Sequence, residues 1–404
     1  CDVWDVDGRR YLDFFAGAGA LALGHGHPAV VEAVRAQLEV FTHGLDFPSE
    51  TRDAFVTELL GTMPESMRDY RVHLCAPTGT DAVEAAIKLC KRATGRSGVI
   101  AFRGSYHGTT AGALAATSNV ELRSRFPSLM PEVHFAAYAN CAHCPAKLPR
   151  ASCGTACAAM FETIFEDDHS GVAAPAAVLM ELVQGEGGTI IPPTDFVQRV
   201  RQACSRAKAP LVADEIQSGL GRTGKWWAFE HFDIAPDVVL SSKALGGIGL
   251  PVAAMAYRPD LDVWEPGSHI GTFRGHHLAF AAGAKAIQVM REEDVLHNAR
   301  ERGAQLLNGL TQLSGAFLRR PRGLGLMVAV DVVHPSDGTG WPELASAIRS
   351  AAFEAGLLIE LGGRGGAALR FLPPLIVTEA EVTKGLQLLE AAMNRAMGSV
   401  GAAA

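Results

Sequence analysis

Short apolar runs bounded by polar or turn-forming residues recur through the middle of the chain, at 72–76, 99–102, 133–136, 176–180, 211–213, 238–240 and 252–257. Their continuous rather than alternating hydrophobicity predicts strands buried on both faces. Segments with apolar residues at helical spacing separate them, as at 194–208. Such alternation predicts an α/β fold, in which a mostly parallel, seven-stranded sheet is covered by helices and ligands bind at the strand ends. This sheet is assigned to a large domain at 47–300. Residues 1–46, with a helix expected at 29–40 after Pro28, join residues 301–404, including 324–332 and 367–371, in a smaller α+β domain. The ending Gly398-Ser399-Val400-Gly401, followed by alanines, reads as a frayed tail.

Two of the runs lead into reactive side chains. The run at 211–213 is followed by Asp214-Glu215-Ile216-Gln217, and the run at 238–240 by Ser241-Ser242-Lys243. An acid and a lysine at strand ends suit pyridoxal phosphate, which takes a lysine amine into a Schiff base and needs an acid to keep its pyridine nitrogen protonated. On spacing alone, a solvated aspartate and lysine remain an open reading. A second feature is Pro77-Thr78-Gly79-Thr80-Asp81, which follows the run at 72–76 and opens a helical pattern. A small Gly-Thr turn at a helix start leaves backbone N–H groups free for a phosphate and adds the favourable end of the helix dipole. Read alone, Thr78 and Thr80 are equally ordinary N-caps, with Asp81 and Glu84 as first-turn acids.

Taken with further motifs, these pieces resemble the class III aminotransferases, which are fold-type I pyridoxal phosphate enzymes. The resemblance runs almost from end to end. Besides the segments above it rests on Asp7-Gly8, Leu23-Gly24-His25, Tyr106-His107-Gly108, Gln184-Gly185-Glu186-Gly187-Gly188, Gly221-Arg222-Thr223-Gly224 and Arg370-Phe371-Leu372-Pro373-Pro374. It implies that Lys243 is the Schiff-base lysine, Asp214 the carboxylate facing the pyridine nitrogen, and Gln217 the partner of the cofactor's phenolic oxygen. It further implies that Gly79 and Thr80 bind the phosphate, and that Tyr106 stacks on the cofactor ring next to His107, a further cofactor contact. Thr272 matches a threonine that reaches the partner subunit's phosphate, which implies a homodimer. Glu186 and Arg370 match a pair in which the arginine binds the substrate's α-carboxylate and the glutamate pairs with it when a different substrate enters.

Three stretches narrow the resemblance. Phe14-Phe15-Ala16-Gly17-Ala18-Gly19-Ala20-Leu21, Thr42-His43-Gly44-Leu45-Asp46, and Asp262-Val263-Trp264 with Gly271-Thr272-Phe273-Arg274-Gly275 are similar to the 2,4-diaminobutyrate aminotransferases. That likeness implies ping-pong transfer of the terminal amino group between 2,4-diaminobutyrate and 2-oxoglutarate, with aspartate 4-semialdehyde and glutamate on the other side. Phe15 is then expected at the substrate entrance. The same stretches are also compatible with a scaffold acting on another amine or aldehyde, or with a lyase, aminomutase or carbon-bond-forming enzyme. Possession of both Glu186 and Arg370 favours transamination, because a gate for two substrates has little use in a single-substrate reaction.

Composition adds limits. The 404 residues, 48% hydrophobic and 20% charged, suffice for a large core and two domains. A net charge of −7 without a basic cluster argues against nucleic acid as a partner. No apolar run reaches membrane-spanning length, and the start lacks the basic-then-apolar order of a signal peptide, so the cytoplasm is the expected location. The first residue is Cys1 rather than methionine, and residues upstream are expected. Cys141, Cys144, Cys153 and Cys157 have a spacing similar to a zinc ribbon or iron–sulfur clip. Free thiols or a redox-sensitive pair are the alternative expected in a reducing compartment, and no metal is assigned. Cys75, Cys90 and Cys204 lie in apolar stretches and are expected in the core.

Overall fold

A computed structural model describes residues 1–401. Its main sheet has seven strands, in the spatial order Arg71–Cys75, Ala253–Tyr257, Val238–Ser241, Leu211–Asp214, Ala177–Met180, Val99–Phe102 and Val133–Ala136. Each of the seven expected runs forms one strand. Only Ala253–Tyr257 runs antiparallel to its neighbours; the other pairings are parallel. Most strand residues are buried, which explains why the runs are continuously apolar.

That direction places the ends of five strands on one edge. Met180 pairs with Ala213 and Asp214 with Leu240, so the residues following these strands emerge side by side. Arg71–Cys75 is antiparallel to Ala253–Tyr257, itself antiparallel to Val238–Ser241; it therefore points the same way and delivers Thr78 and Gly79 to that edge. Helix Gly79–Thr94 begins there, its Thr78 hydroxyl accepting from Asp81 N at 3.4 Å. Its inner face, including Val83, Ala86 and Leu89, is buried.

Two smaller sheets flank this layer. One has four strands in the order Leu318–Leu324, Met327–Val332, Ala368–Phe371 and Glu360–Gly362. The other joins the chain's beginning to its last third, with Arg10–Asp13 between Asp2–Trp4 and Leu357–Leu358. The segment 324–332 spans a turn: Leu324 ends one strand and Met327 starts the next. Gly325 makes the turn with φ +52°, and a Cβ there would lie 2.5 Å from the Thr223 carbonyl carbon. Unbroken hydrophobicity across the turn hid it from the sequence. Arg222, fully buried, donates from Nη1 to the carbonyls of Leu326 and Pro373, tying the four-stranded sheet to the segment after Asp214.

Helix Pro28–Val40 begins one residue before the expected start, since proline suits the first helical position. The last helix runs Glu379–Gly401, so residues 398–401 of the expected tail are helical, anchored by buried Met393 and Ala396 upstream. The remainder of that tail, residues 402–404, lies outside the described residues. Among the described residues no helix is long and apolar enough to cross a membrane.

Candidate active site

The shared strand edge borders a cavity of about 250 Å³ whose walls include Lys243, Asp214, Gln217, Glu186, Tyr106 and His107. Lys243 stands just past Val238–Ser241 and adopts φ +42°. A left-handed backbone at a lysine is strained, and strain of this kind is retained where surrounding structure fixes a side chain's direction. Burial lowers the pKa of its amine, with Glu186 acting in the opposite direction. The neutral amine needed for nucleophilic and base chemistry is thereby brought closer to physiological pH.

Asp214 is 5% exposed. Its Oδ1 accepts from Ile216 N at 3.1 Å, and its Oδ2 lies 2.7 Å from Nδ1 of the buried His107. The second ring nitrogen of His107, Nε2, is buried without a hydrogen-bond partner. Glu181, which ends the neighbouring strand segment, was not singled out in the sequence. It accepts from Tyr106 N at 2.9 Å and Gly185 N at 2.8 Å, and so fixes the loops that carry Tyr106 and Glu186. Burial pushes its pKa up to about 7. The signal that could have found it is the one that marked Asp214, an acid directly after a buried run.

The turn at Gly79 and Thr80 opens onto the same cavity. As the first residues of their helix they have no intrahelical acceptors for their N–H groups. Gly108 faces them with φ +123°, and a Cβ there would come within 2.4 Å of Thr80 Oγ1; only glycine leaves this cradle open. An N–H-lined cradle, a buried carboxylate and a buried lysine, all bordering one cavity, form a donor set that fits pyridoxal phosphate.

Arg370 comes from the middle of Ala368–Phe371 and is fully buried. It donates from Nη1 to Glu186 Oε1 at 2.8 Å and from Nη2 to Gln217 Oε1 at 2.6 Å, while Gln217 Nε2 donates to Ala18 O at 3.2 Å. Gln217 thus links the arginine to the 16–19 segment as well as lining the cavity. Glu186 is 36% exposed in its side chain. Phe15 and Ala16 donate their N–H groups to Asp13 Oδ1, holding the start of this segment; Phe15 is half-buried and lies outside the immediate lining of the cavity. Thr272 is also outside it, on an exposed stretch with Phe273.

Cys141, Cys144, Cys153 and Cys157 line a separate small cavity. All eight cysteines are free thiols, and Cys75, Cys90 and Cys204 are buried as expected. Among the described residues no three histidine, cysteine, aspartate or glutamate side chains are grouped to hold a metal ion.

The chain is similar to known proteins over nearly its whole length. The family model described as aminotransferase class-III matches residues 1–393. The diaminobutyrate–2-oxoglutarate aminotransferase of Rhizobium meliloti is 43% identical over 98% of this chain and 86% of its own length. The enzyme of the same description from Haemophilus influenzae is also 43% identical, over 94% and 86%. Among solved structures, a PLP-bound amine transaminase from an uncultivated Pseudomonas species superposes with a TM-score of 0.89 at 28% identity, covering 98% of this chain and 93% of that one.

Proposed function

The chain belongs to the class III aminotransferases, and from that premise we propose that it moves the terminal amino group of L-2,4-diaminobutyrate to 2-oxoglutarate, giving aspartate 4-semialdehyde and glutamate. Its cofactor is pyridoxal 5′-phosphate. The observation that carries the reading is the fully buried Arg370 held by a partly exposed Glu186 beside the cavity that Lys243 and Asp214 line. The donor is supported by the two 43%-identical diaminobutyrate–2-oxoglutarate aminotransferases.

In this reading Lys243 would hold the cofactor, Gly79 and Thr80 would receive its phosphate, and Tyr106 would take its ring. Asp214 and Gln217 address the polar atoms of the ring, with His107 orienting Asp214. Once bound, the cofactor supplies an electron sink for the pair released when the amine-bearing carbon loses a proton. Lys243 Nζ, displaced from the cofactor by the donor amine, would take up that proton and give it back, a role suited to an amine whose pKa is lowered by burial. Asp214 stays in place through its contacts with Ile216 N and His107 Nδ1. Arg370 serves both half-reactions. Glu186 neutralises it while a terminal amine occupies the site, then withdraws so that the guanidinium binds the α-carboxylate of 2-oxoglutarate or glutamate in a bidentate pair.

The assembly in this reading is a cytoplasmic homodimer, with Thr272 directed at the partner's cofactor phosphate. Phe47, Ile270 and Phe273, at 74%, 66% and 65% exposure, belong to two segments joined by the Gly44 N to Gly275 O hydrogen bond and the Arg274–Asp46 ion pair. Their apolar surface suits burial in a subunit interface.

Isotope transfer tests the donor. With diaminobutyrate labelled with ¹⁵N at its terminal nitrogen, the label is expected in glutamate. With the label at the α-nitrogen, glutamate is expected to stay unlabelled; the opposite pattern would overturn the terminal-amine assignment.

A further inference from the structure

Arg370 has a second carboxylate beside it that the exchange with Glu186 leaves unexplained. Glu360 sits directly across the antiparallel pair from Arg370, so the two side chains project from the same face of the sheet. Glu360 Oε2 lies 4.0 Å from Arg370 Nη1. It is buried and has no hydrogen-bond partner, whereas Glu186 accepts directly from the same Nη1 at 2.8 Å.

Charge around the guanidinium therefore does not balance. One cation faces two carboxylates, and its other polar partner, Gln217, is neutral. Burial raises the pKa of the Glu360 carboxyl, Arg370 opposes that, and Lys243 and Arg349 act in the same direction as Arg370. Lys243 must be neutral to react, and Arg349 is exposed, so solvent screens it. A buried carboxylate oxygen with no donor is costly, and a ligand N–H brought to it removes that cost.

We infer that Glu360 is the specificity-determining residue for the amino donor: while Glu186 occupies Arg370, the Glu360 carboxylate receives the second ammonium group of a diamino donor whose other amine is at Lys243. The inference rests on the terminal-amine reading above and names the group that recognises the far end of that donor. It also sets the two half-reactions against each other. Glutamate brings its own carboxylate to Arg370, and a second anion at Glu360 then opposes it. Glu360 thus favours the diamino acid and disfavours the dicarboxylic acid at one site.

Glu360→Gln keeps the side chain's size and removes the charge. In the test, holoenzyme of wild type and E360Q is mixed separately with 2,4-diaminobutyrate and with glutamate, and the cofactor's absorbance change gives a saturation constant and a limiting rate for each. Expected in E360Q is a saturation constant for diaminobutyrate raised roughly ten- to a hundredfold, with the limiting rate changed by less than about threefold. For glutamate the saturation constant is expected unchanged or lowered. An unchanged diaminobutyrate constant, or parallel losses with both substrates, would overturn the inference while leaving the donor assignment in place. If wild type responds to glutamate but not to diaminobutyrate, the donor assignment itself fails and the inference fails with it; the glutamate response separates that result from inactive protein.

Discussion

Lys243 combines a strained backbone, a buried amine and a neighbouring carboxylate in Glu186, features that stability alone does not call for. Lys243→Ala is expected to lower turnover by roughly 10²–10⁴-fold or more, with a melting temperature of the cofactor-free protein equal to or above that of wild type, because the desolvation of a buried amine is relieved while the backbone strain is left as it was. Substantial turnover in this variant would remove the lysine from the mechanism. Glu181 gives a prediction in pH. Its pKa in the folded protein, about 7, lies above its ordinary value of 4.5, so the folded state holds the proton more tightly than the unfolded chain. Wild-type stability therefore falls, relative to Glu181→Gln, as pH rises from about 4.5 to about 7, by at most about 3 kcal/mol. Paired urea midpoints at the two ends of that range measure it, and a gap moving the other way would contradict the assignment. At this scale the sequence disclosed the residues whose neighbours have a distinctive pattern, such as Asp214 and Lys243. Glu181 carried the same pattern, but its partners are backbone N–H groups at Tyr106 and Gly185, which no side-chain motif reveals.

Among the elements, the five inner strands of the main sheet were legible because burial on both faces leaves no polar alternation to confuse them. The Leu318–Leu324 and Met327–Val332 hairpin was not, since its turn at Gly325 is enclosed by the backbone of 222–224 and needs no polar residues. The proposed phosphate cradle depends on two elements whose contact is equally invisible in one dimension: the start of Gly79–Thr94 and the loop at Gly108. Gly108→Ala places a methyl group against Thr80 and forces alanine into φ +123°, a strain of about 1–3 kcal/mol. Cofactor affinity is expected to fall roughly tenfold or more, measured by titrating apoprotein with pyridoxal phosphate, while the far-ultraviolet circular dichroism stays that of the wild type. Equal affinity would show that the cradle is elsewhere.

For the whole molecule, chain order and spatial order diverge most where the first strands join Leu357–Leu358 and where Arg222 reaches Leu326 and Pro373. These long-range ties bring Arg370, near the end of the chain, to Glu186 and Gln217, and only the resemblance to a family foretold that meeting. The proposed dimer is the next level of the same assembly. Replacing Phe47 and Phe273 together by aspartate is expected to shift the protein from dimer to monomer in analytical ultracentrifugation and to weaken cofactor retention; a dimer that persists would place the interface on another surface. The central claim is that one cavity serves a terminal amine and an α-amino acid in turn, with Arg370 released or covered by Glu186. The most direct measurement is the absorbance of the cofactor-loaded enzyme after separate addition of 2,4-diaminobutyrate and glutamate, with no acceptor present. Conversion of the cofactor to its amine form by both compounds is the predicted result, and conversion by neither would contradict the account.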